Sequence, residues 1–113
     1  MEELNKPDEI ISAEKNDNFM FIGSKPIINY VRGINLQFSK YSKSEIMVKA
    51  RGKFISKAVD IVEIAKRQFF EKHGIKIKDI KISTEQMPKE NEKINISAIT
   101  IFLSKINQPI NNS

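Results

Sequence analysis

The stretch Lys49-Ala50-Arg51-Gly52-Lys53-Phe54-Ile55-Ser56-Lys57-Ala58-Val59-Asp60 joins an alternating strand pattern to an amphipathic helix pattern. It places several cations and a glycine at the junction between the two. The first N–H groups of a helix are unpaired and its dipole favours an anion there, so a basic strand-to-helix turn suits phosphate. The junction has no His, Cys or carboxylate pair to add catalytic chemistry. Nucleic-acid binding is therefore the leading hypothesis.

Upstream of this stretch, the pattern predicts a strand, a helix and a second strand. The apolar run 19–22 ends at Gly23 and is typical of a buried strand. Ser24 is expected to cap the following helix, and Pro26 suits its first turn. Apolar residues then recur with helical spacing over 27–41. Residues 45–50 alternate apolar and polar, as a half-buried strand does.

Downstream, the pattern predicts a helix over about 53–72 that stops at Gly74, which suits a left-handed C-terminal cap. Two long alternating segments follow, and they change phase near Lys78 and near Ser97. Each phase change indicates either a bulge or a strand covered on both faces, by the helices and by a second subunit. A polar stretch over 86–93 forms the hairpin tip. The predicted order is β-α-β-α-β-β, an α+β fold.

Length and composition limit the possible functions of this 113-residue chain. It has the size of one domain and contains no cysteine, which excludes disulfides, thiolate metal sites and cysteine nucleophiles. No apolar run approaches the roughly 20 residues that span a bilayer. Six acids and two lysines give residues 1–18 a charge of −4, so the other 17 basic and 8 acidic residues leave +9. A basic domain with an acidic tail fits a polyanion-binding protein.

The chain resembles the Alba family of small basic nucleic-acid-binding proteins, best known as archaeal chromatin components. The resemblance covers about residues 19–105 and is strongest around Arg51-Gly52. The matching motifs are Ile22-Gly23-Ser24-Lys25-Pro26, Asn29-Tyr30-Val31, Glu45-Ile46-Met47-Val48-Lys49-Ala50-Arg51-Gly52, Ile55-Ser56-Lys57-Ala58-Val59-Asp60, Thr84-Glu85 and Ile96-Ser97-Ala98-Ile99.

The resemblance implies a two-layer α+β sandwich similar to the C-terminal domain of translation initiation factor three, assembled as a homodimer. Double-stranded DNA or RNA would lie across the dimer, and the long hairpins would reach out as arms along the minor groove. Residue by residue, the resemblance makes Lys25 the loop cation, and it makes Arg51 and Lys53 the cations at the second helix. Lys89 and Lys93 would stand near the arm tip.

Two positions depart from the family pattern. Ser24 stands where many members have the first lysine of a pair, so one cation is missing. The arm tip Lys89-Glu90-Asn91-Glu92-Lys93 contains two acids, whereas family tips are often more basic and contain glycine.

Several candidate site residues have a structural alternative. Arg51 suits phosphate, and the alternative is that it pairs with an acid such as Glu85. Glycine at position 52 is explained by the backbone conformation of the turn, by contact with a ligand, or by both. Lys57 either extends the phosphate track or is a solvated lysine.

The aromatic residues and the single histidine receive mainly structural interpretations. Phe69 and Phe70 exceed what one core stripe needs, so one is expected in the core and the other at a contact between subunits or dimers. Tyr30 and Tyr41 fall on the core stripe of the first helix rather than on a base-stacking surface. The lone His73, near a helix C-terminus, predicts neither a metal site nor a general base.

These observations divide the chain into an acidic, flexible tail (1–18), a nucleic-acid-binding domain (19–106) and a flexible C-terminus (107–113). We expect an intracellular homodimer, without enzymatic activity or cofactor, on the chromosome or in the cytoplasm. Two alternatives stay open: an RNA-binding subunit of a ribonucleoprotein, and a protein-interaction subunit that uses the same basic face.

Overall fold

Four strands and two helices alternate along residues 18–106, which are the residues that the computed structural model describes. The predicted C-terminal segment 107–113 and all but the last residue of the predicted acidic tail lie outside the described residues. The elements are β1 (Phe19–Phe21), α1 (Ile27–Ser39), β2 (Glu45–Arg51), α2 (Ile55–Ala65), β3 (Ile75–Lys89) and β4 (Glu92–Lys105). The predicted order β-α-β-α-β-β is confirmed.

The strands form one sheet in the order β1-β2-β4-β3. β1 runs parallel to β2, as a strand-helix-strand unit requires, while β4 is antiparallel to both β2 and β3. Because β3 and β4 are joined by a two-residue turn, they form a long hairpin with β3 at the edge of the sheet.

Both helices contribute to a core that lies on one face of the sheet. Alternate residues of each strand point to that face, which the buried side chains of Met20, Val48 and Ile101 illustrate. From α1 and α2, Ile34 and Ile61 complete the core and are fully buried. The fold is therefore the predicted two-layer sandwich of helices on a sheet.

β1 differs from its prediction as a buried strand. Only Met20 is buried, whereas Phe19 and Phe21 are 40% and 51% exposed on the sheet face opposite the helices. A run of consecutive apolar residues conceals which of them faces the core. The pairing of Phe19 with Met47 and of Phe21 with Lys49 places both rings on the outer face.

The second helical segment continues beyond α2 in a way that the sequence pattern did not predict. A π-helical turn spans Lys66–Phe70, a last α turn spans Glu71–His73, and Gly74 ends the segment with a left-handed φ of 67°. A π turn is wider than an α turn, so neighbouring side chains lie at a smaller angle to one another. Phe69 and Phe70 are accordingly both buried in this chain's own core, at 7% and 4% exposure. Both rings thus belong to the core, as was expected of one of them, and a contact of the other with a second subunit or dimer stays a prediction.

The two phase changes in the strand patterns have different origins. In β3 the pairing shifts between Ile77 and Asp79, so Lys78 is the extra residue of a bulge. The pairing of β4 continues without a break through Ser97, which rules out a bulge there. The isoleucines on the two sides of Ser97 therefore lie on opposite faces of β4.

The far end of the β3–β4 hairpin projects from the sandwich and is termed the arm, residues 83–97. Along the whole of β3, only Ile75 is buried, so the arm is held mainly by its own ladder of backbone hydrogen bonds. The longest dimension of the described residues is 59 Å, against 37 and 25 Å for the other two. At the tip, Glu90 adopts a left-handed φ of 56°.

Candidate nucleic-acid interface

One ammonium group fastens the loop before α1 to the first turn of α2. The Nζ atom of Lys57 donates hydrogen bonds to the carbonyl oxygens of Gly23 and Lys25, at 2.6 and 2.5 Å. Gly23 and Lys25 precede α1, and Lys57 lies near the start of α2, so these contacts bring the two helix starts side by side. Lys57 thus positions the loop, a role that the sequence pattern did not predict, and its contact with phosphate stays a prediction.

The hydroxyl of Tyr30 also holds this loop. It accepts hydrogen bonds from the backbone N–H groups of Gly23 and Lys25, at 2.8 and 3.3 Å. Tyr30 is buried, as its place on the core stripe predicted, and its ring lies 5.4 Å from the Lys57 ammonium. Sequence reasoning missed this anchoring role. The available signal was a tyrosine on the buried stripe one turn after Pro26.

Neither helix start carries a side-chain cap. Pro26 is the N-cap residue of α1, and no side chain bonds the first amides there, so the predicted cap by Ser24 is wrong. The start of α2 likewise lacks a side-chain cap and is preceded by a 3₁₀ turn over Gly52–Phe54. Uncapped helix amides and the helix dipole both favour an approaching anion.

Two lysines stand beside these helix starts. Lys25 is half-exposed in the loop before α1, and Lys53 is exposed in the turn before α2. The ammonium of Lys53 lies 5.4 Å from the ring of Phe54. With the two helix starts held together, these cations belong to one basic surface, which we term the helix-start surface: Lys25, Lys53 and the turn residues between β2 and α2.

Arg51 forms the ion pair that was the alternative to a phosphate role. Its Nε atom lies 2.9 Å from Oε1 of Glu85, and its guanidinium lies 5.7 Å from the ring of Phe21. The two ion-paired side chains remain 42% and 44% exposed. Exposed pairs of this kind contribute only about 0–1 kcal/mol, so a phosphate can compete for Arg51.

Gly52 has a conformational reason to be glycine. Its φ of 53° is in the left-handed region, which side chains other than glycine rarely adopt. A Cβ atom placed there would meet Ile96 at 3.5 Å, an ordinary contact, so space is not the constraint. The turn between β2 and α2 therefore requires this residue whether or not a ligand is bound.

Lys89 and Lys93 lie at the tip of the arm and not on the helix-start surface. Both are exposed; Lys89 is paired across the hairpin with Glu92, and Lys93 with Pro88. Glu90 completes the tip, so its two lysines are balanced by two acids. The tip is thus a separate, electrically neutral candidate contact.

Residues 18–106 contain neither a metal-ligand cluster nor a helix that could span a membrane. In that part of the chain, no three side chains of the His, Asp and Glu types gather as metal ligands would. His73 is exposed, with its ring 6.1 Å from that of Phe69. Among the same residues, none of the helices has the length and apolar character needed to cross a membrane.

Comparison with known families agrees with this geometry. The Alba family model matches residues 18–84, which include both helices, the loop before α1 and the turn before α2. The chain belongs to the Alba family. Its Alba relatives include DNA/RNA-binding protein Alba 1 of Archaeoglobus fulgidus, at 45% identity over 89 residues, which is 79% of this chain and 97% of the relative. DNA/RNA-binding protein Alba of Picrophilus torridus matches with the same identity and coverage.

Solved Alba structures share the fold. Alba from Thermoplasma volcanium superposes with a TM-score of 0.71 at 41% identity, covering 78% of this chain and all of that one. Alba1 from Trypanosoma brucei superposes with a TM-score of 0.61 at 21% identity, covering 78% of this chain and 68% of that one. The latter likeness concerns the fold alone.

Proposed function

We propose that this Alba-family chain is a dimeric, non-enzymatic protein that binds the phosphate backbone of DNA or RNA with little sequence preference. The observation that carries the proposal is the pairing of two uncapped helix starts through Lys57, with Lys25 and Lys53 beside them. The relatives named DNA/RNA-binding proteins support the same ligand class. Binding of this kind would suit packaging of a chromosome.

The chemistry of the helix-start surface explains the lack of sequence preference. Lysine ammonium groups and helix amides recognise phosphate, which is the same in every nucleotide, whereas sequence is read from base edges. The positive charge of residues 19–113 would also draw a polyanion toward the protein before contact. Both effects act on DNA and RNA alike.

Dimerisation is supported by an uncovered apolar strip on β3. Ile80 and Ile82 lie on the helix-side face of the sheet, opposite Ile101 and Ile99, but are 53% and 82% exposed. The helices of one chain do not reach this part of the edge strand. A second copy packed against the strip would cover it and would double the number of helix-start surfaces.

Salt dependence provides the test. Two copies of Lys25, Arg51 and Lys53 supply about six phosphate contacts, so log affinity for duplex DNA should fall with log salt at a slope of roughly −5. A Lys25→Ala/Lys53→Ala variant should reduce the slope to roughly −2, because four contacts are lost. The matched control, Lys72→Ala/Lys76→Ala, removes two exposed lysines on either side of Gly74, which ends the second helical segment.

Competition between matched DNA and RNA duplexes would then choose between a chromosomal role and a ribonucleoprotein role. A wild-type slope shallower than about −2 on both ligands would overturn the proposed phosphate footprint. Assembly that is insensitive to salt, without binding to either nucleic acid, would favour the protein-interaction role instead.

A further inference from the structure

The outer face of the sheet carries aromatic rings and cations side by side. Phe19 and Phe21 of β1 contact each other edge to face, with ring centroids 5.4 Å apart. The ammonium of Lys49 lies 5.4 Å from the first ring and 5.9 Å from the second. Within residues 18–106, both helices pack on the opposite face of the sheet, which leaves these rings open to solvent.

A cleft of about 430 Å³ opens beside these rings, between β1, the turn before α2 and the base of the arm. Phe21, Phe54, Met87 and Ile96 give it apolar and aromatic walls, and Arg51 and Lys53 stand in its lining. It is therefore a concave apolar site with charged groups in its walls, as small-ligand sites commonly are.

We propose that this face, defined by Phe19, Phe21, Lys49 and the cleft, binds single-stranded nucleic acid by stacking its bases. One base would enter the cleft against Phe21, its neighbour would lie on Phe19, and Lys49 and Lys53 would meet the phosphates between them. The inference rests on the proposed function for the class of ligand; the stacking rings lie on the outer sheet face, while Lys53 and the turn before α2 are shared with the helix-start surface. Single-stranded DNA and RNA share the chemistry that it recognises.

The chemistry of the face selects an unpaired strand over a duplex. Every nucleobase has a π face, and aromatic side chains beside cations are the recurring means of binding single strands without reading their sequence. In a duplex the bases already stack on one another and their faces are hidden. The positive charge of Lys49, Arg51 and Lys53 is complementary to the phosphates of the strand.

The first experiment compares binding of the full chain to a single-stranded 12-mer, in DNA and RNA forms, and to a duplex of the same length. Phe19→Ala/Phe21→Ala should weaken binding of the single strand about tenfold or more, with duplex affinity unchanged. The control Val59→Ala shortens an apolar side chain that is 42% exposed on α2. Equal losses on both ligands, or no loss on the single strand, would overturn the inference.

A fluorescence measurement tests stacking directly and does not depend on an alanine variant. The chain contains no tryptophan, so Phe21→Trp introduces a single reporter that preserves an aromatic ring. A stacked base should quench that tryptophan strongly, while the matched reporter Val59→Trp should respond little to the same strand. Equal quenching of both reporters would contradict stacking at Phe21.

The two proposals fail in distinguishable ways. If wild-type protein binds duplexes with the expected steep salt dependence but neither single strand, only the stacking face is rejected. If it binds no nucleic acid in any form, the helix-start surface and the stacking face are both rejected.

Discussion

Nε of Arg51 lies 2.9 Å from Oε1 of Glu85, which joins the end of β2 to the base of the arm. The same guanidinium lies over Phe21, at 5.7 Å from the ring centroid. Arg51 therefore stands where the helix-start surface, the outer sheet face and the arm meet. Glu85 thus occupies the cation to which the proposed function assigns a phosphate contact.

Removing the competing carboxylate should tighten binding. Glu85→Gln is expected to raise affinity for duplex DNA by about 1.4- to fivefold per subunit, because breaking an exposed ion pair on binding costs about 0.2–1 kcal/mol. The gain should shrink as salt screens the pair. Equilibrium titration at low and high salt would measure it. Glu71→Gln removes the same charge far from the site, and an equal gain in that variant would attribute the effect to overall charge.

Lys57 should matter for stability as well as for binding. Lys57→Met keeps the aliphatic body but leaves the carbonyl oxygens of Gly23 and Lys25 without their donor. Loss of hydrogen bonds from a charged group predicts a decrease of about 1–3 kcal/mol in the free energy of unfolding, together with weaker duplex binding.

Urea denaturation and hydrogen exchange at the Lys25 amide would measure the effect of Lys57→Met. The comparison variant is Lys53→Met, because the ammonium of Lys53 lies over the ring of Phe54, the next residue in the chain, and does not join two distant segments. We expect it to weaken binding while changing stability by less than about 0.5 kcal/mol. If both variants destabilise the protein equally, the hydrogen bonds of Lys57 do not hold the two helix starts together.

The apolar strip on β3 predicts the oligomeric state. Ile82→Lys places a charge on a side chain that is 82% exposed in the single chain but would be covered in the proposed dimer. Burial of an unpaired charge is unfavourable, so we expect this variant to be monomeric where wild type is dimeric. Light scattering after size exclusion would show the change. Val59→Lys serves as the control, and a dimer that survives Ile82→Lys would place the interface elsewhere.

Gly52 should tolerate no side chain without cost. Gly52→Ala places a residue with a Cβ atom at a left-handed φ of 53°. We therefore expect the free energy of unfolding to decrease by about 1–2 kcal/mol. Gly52→Asn should cost less, because asparagine visits this region more readily. Chemical denaturation of both variants would test the order. If Gly52→Ala, Gly52→Asn and wild type are equally stable, the turn can relax so that residue 52 adopts a negative φ.

The sequence predicted the fold well because its apolar spacing is regular. The stripe of α1 and the alternation of β2 each face a single core, and Gly74 ends the second helical segment as its chemistry requires. The predicted cap by Ser24 was wrong because a serine close to Pro26 does not determine at which residue the helix starts. The helix starts after Pro26, two residues beyond Ser24. The π turn that buries both Phe69 and Phe70 has no periodic signal in so short a segment.

The candidate site was less predictable, because its geometry depends on contacts between distant parts of the chain. Lys57 meets carbonyl groups more than 30 residues away, and Tyr30 bonds backbone amides of the loop rather than side chains. The exposure of Phe19 and Phe21 was also hidden, since four consecutive apolar residues do not reveal their register. Only the pairing of β1 with β2 assigns them to a face.

The arm contributes little to the core, since β3 buries only Ile75, near its start. Substitutions toward the tip should therefore change the charge of the protein with little penalty in foldability. The requirement for close packing therefore falls on the sandwich and not on the length or polarity of the arm. The tip of this chain carries no net charge, so a charge introduced there would alter attraction to a polyanion without disturbing the core.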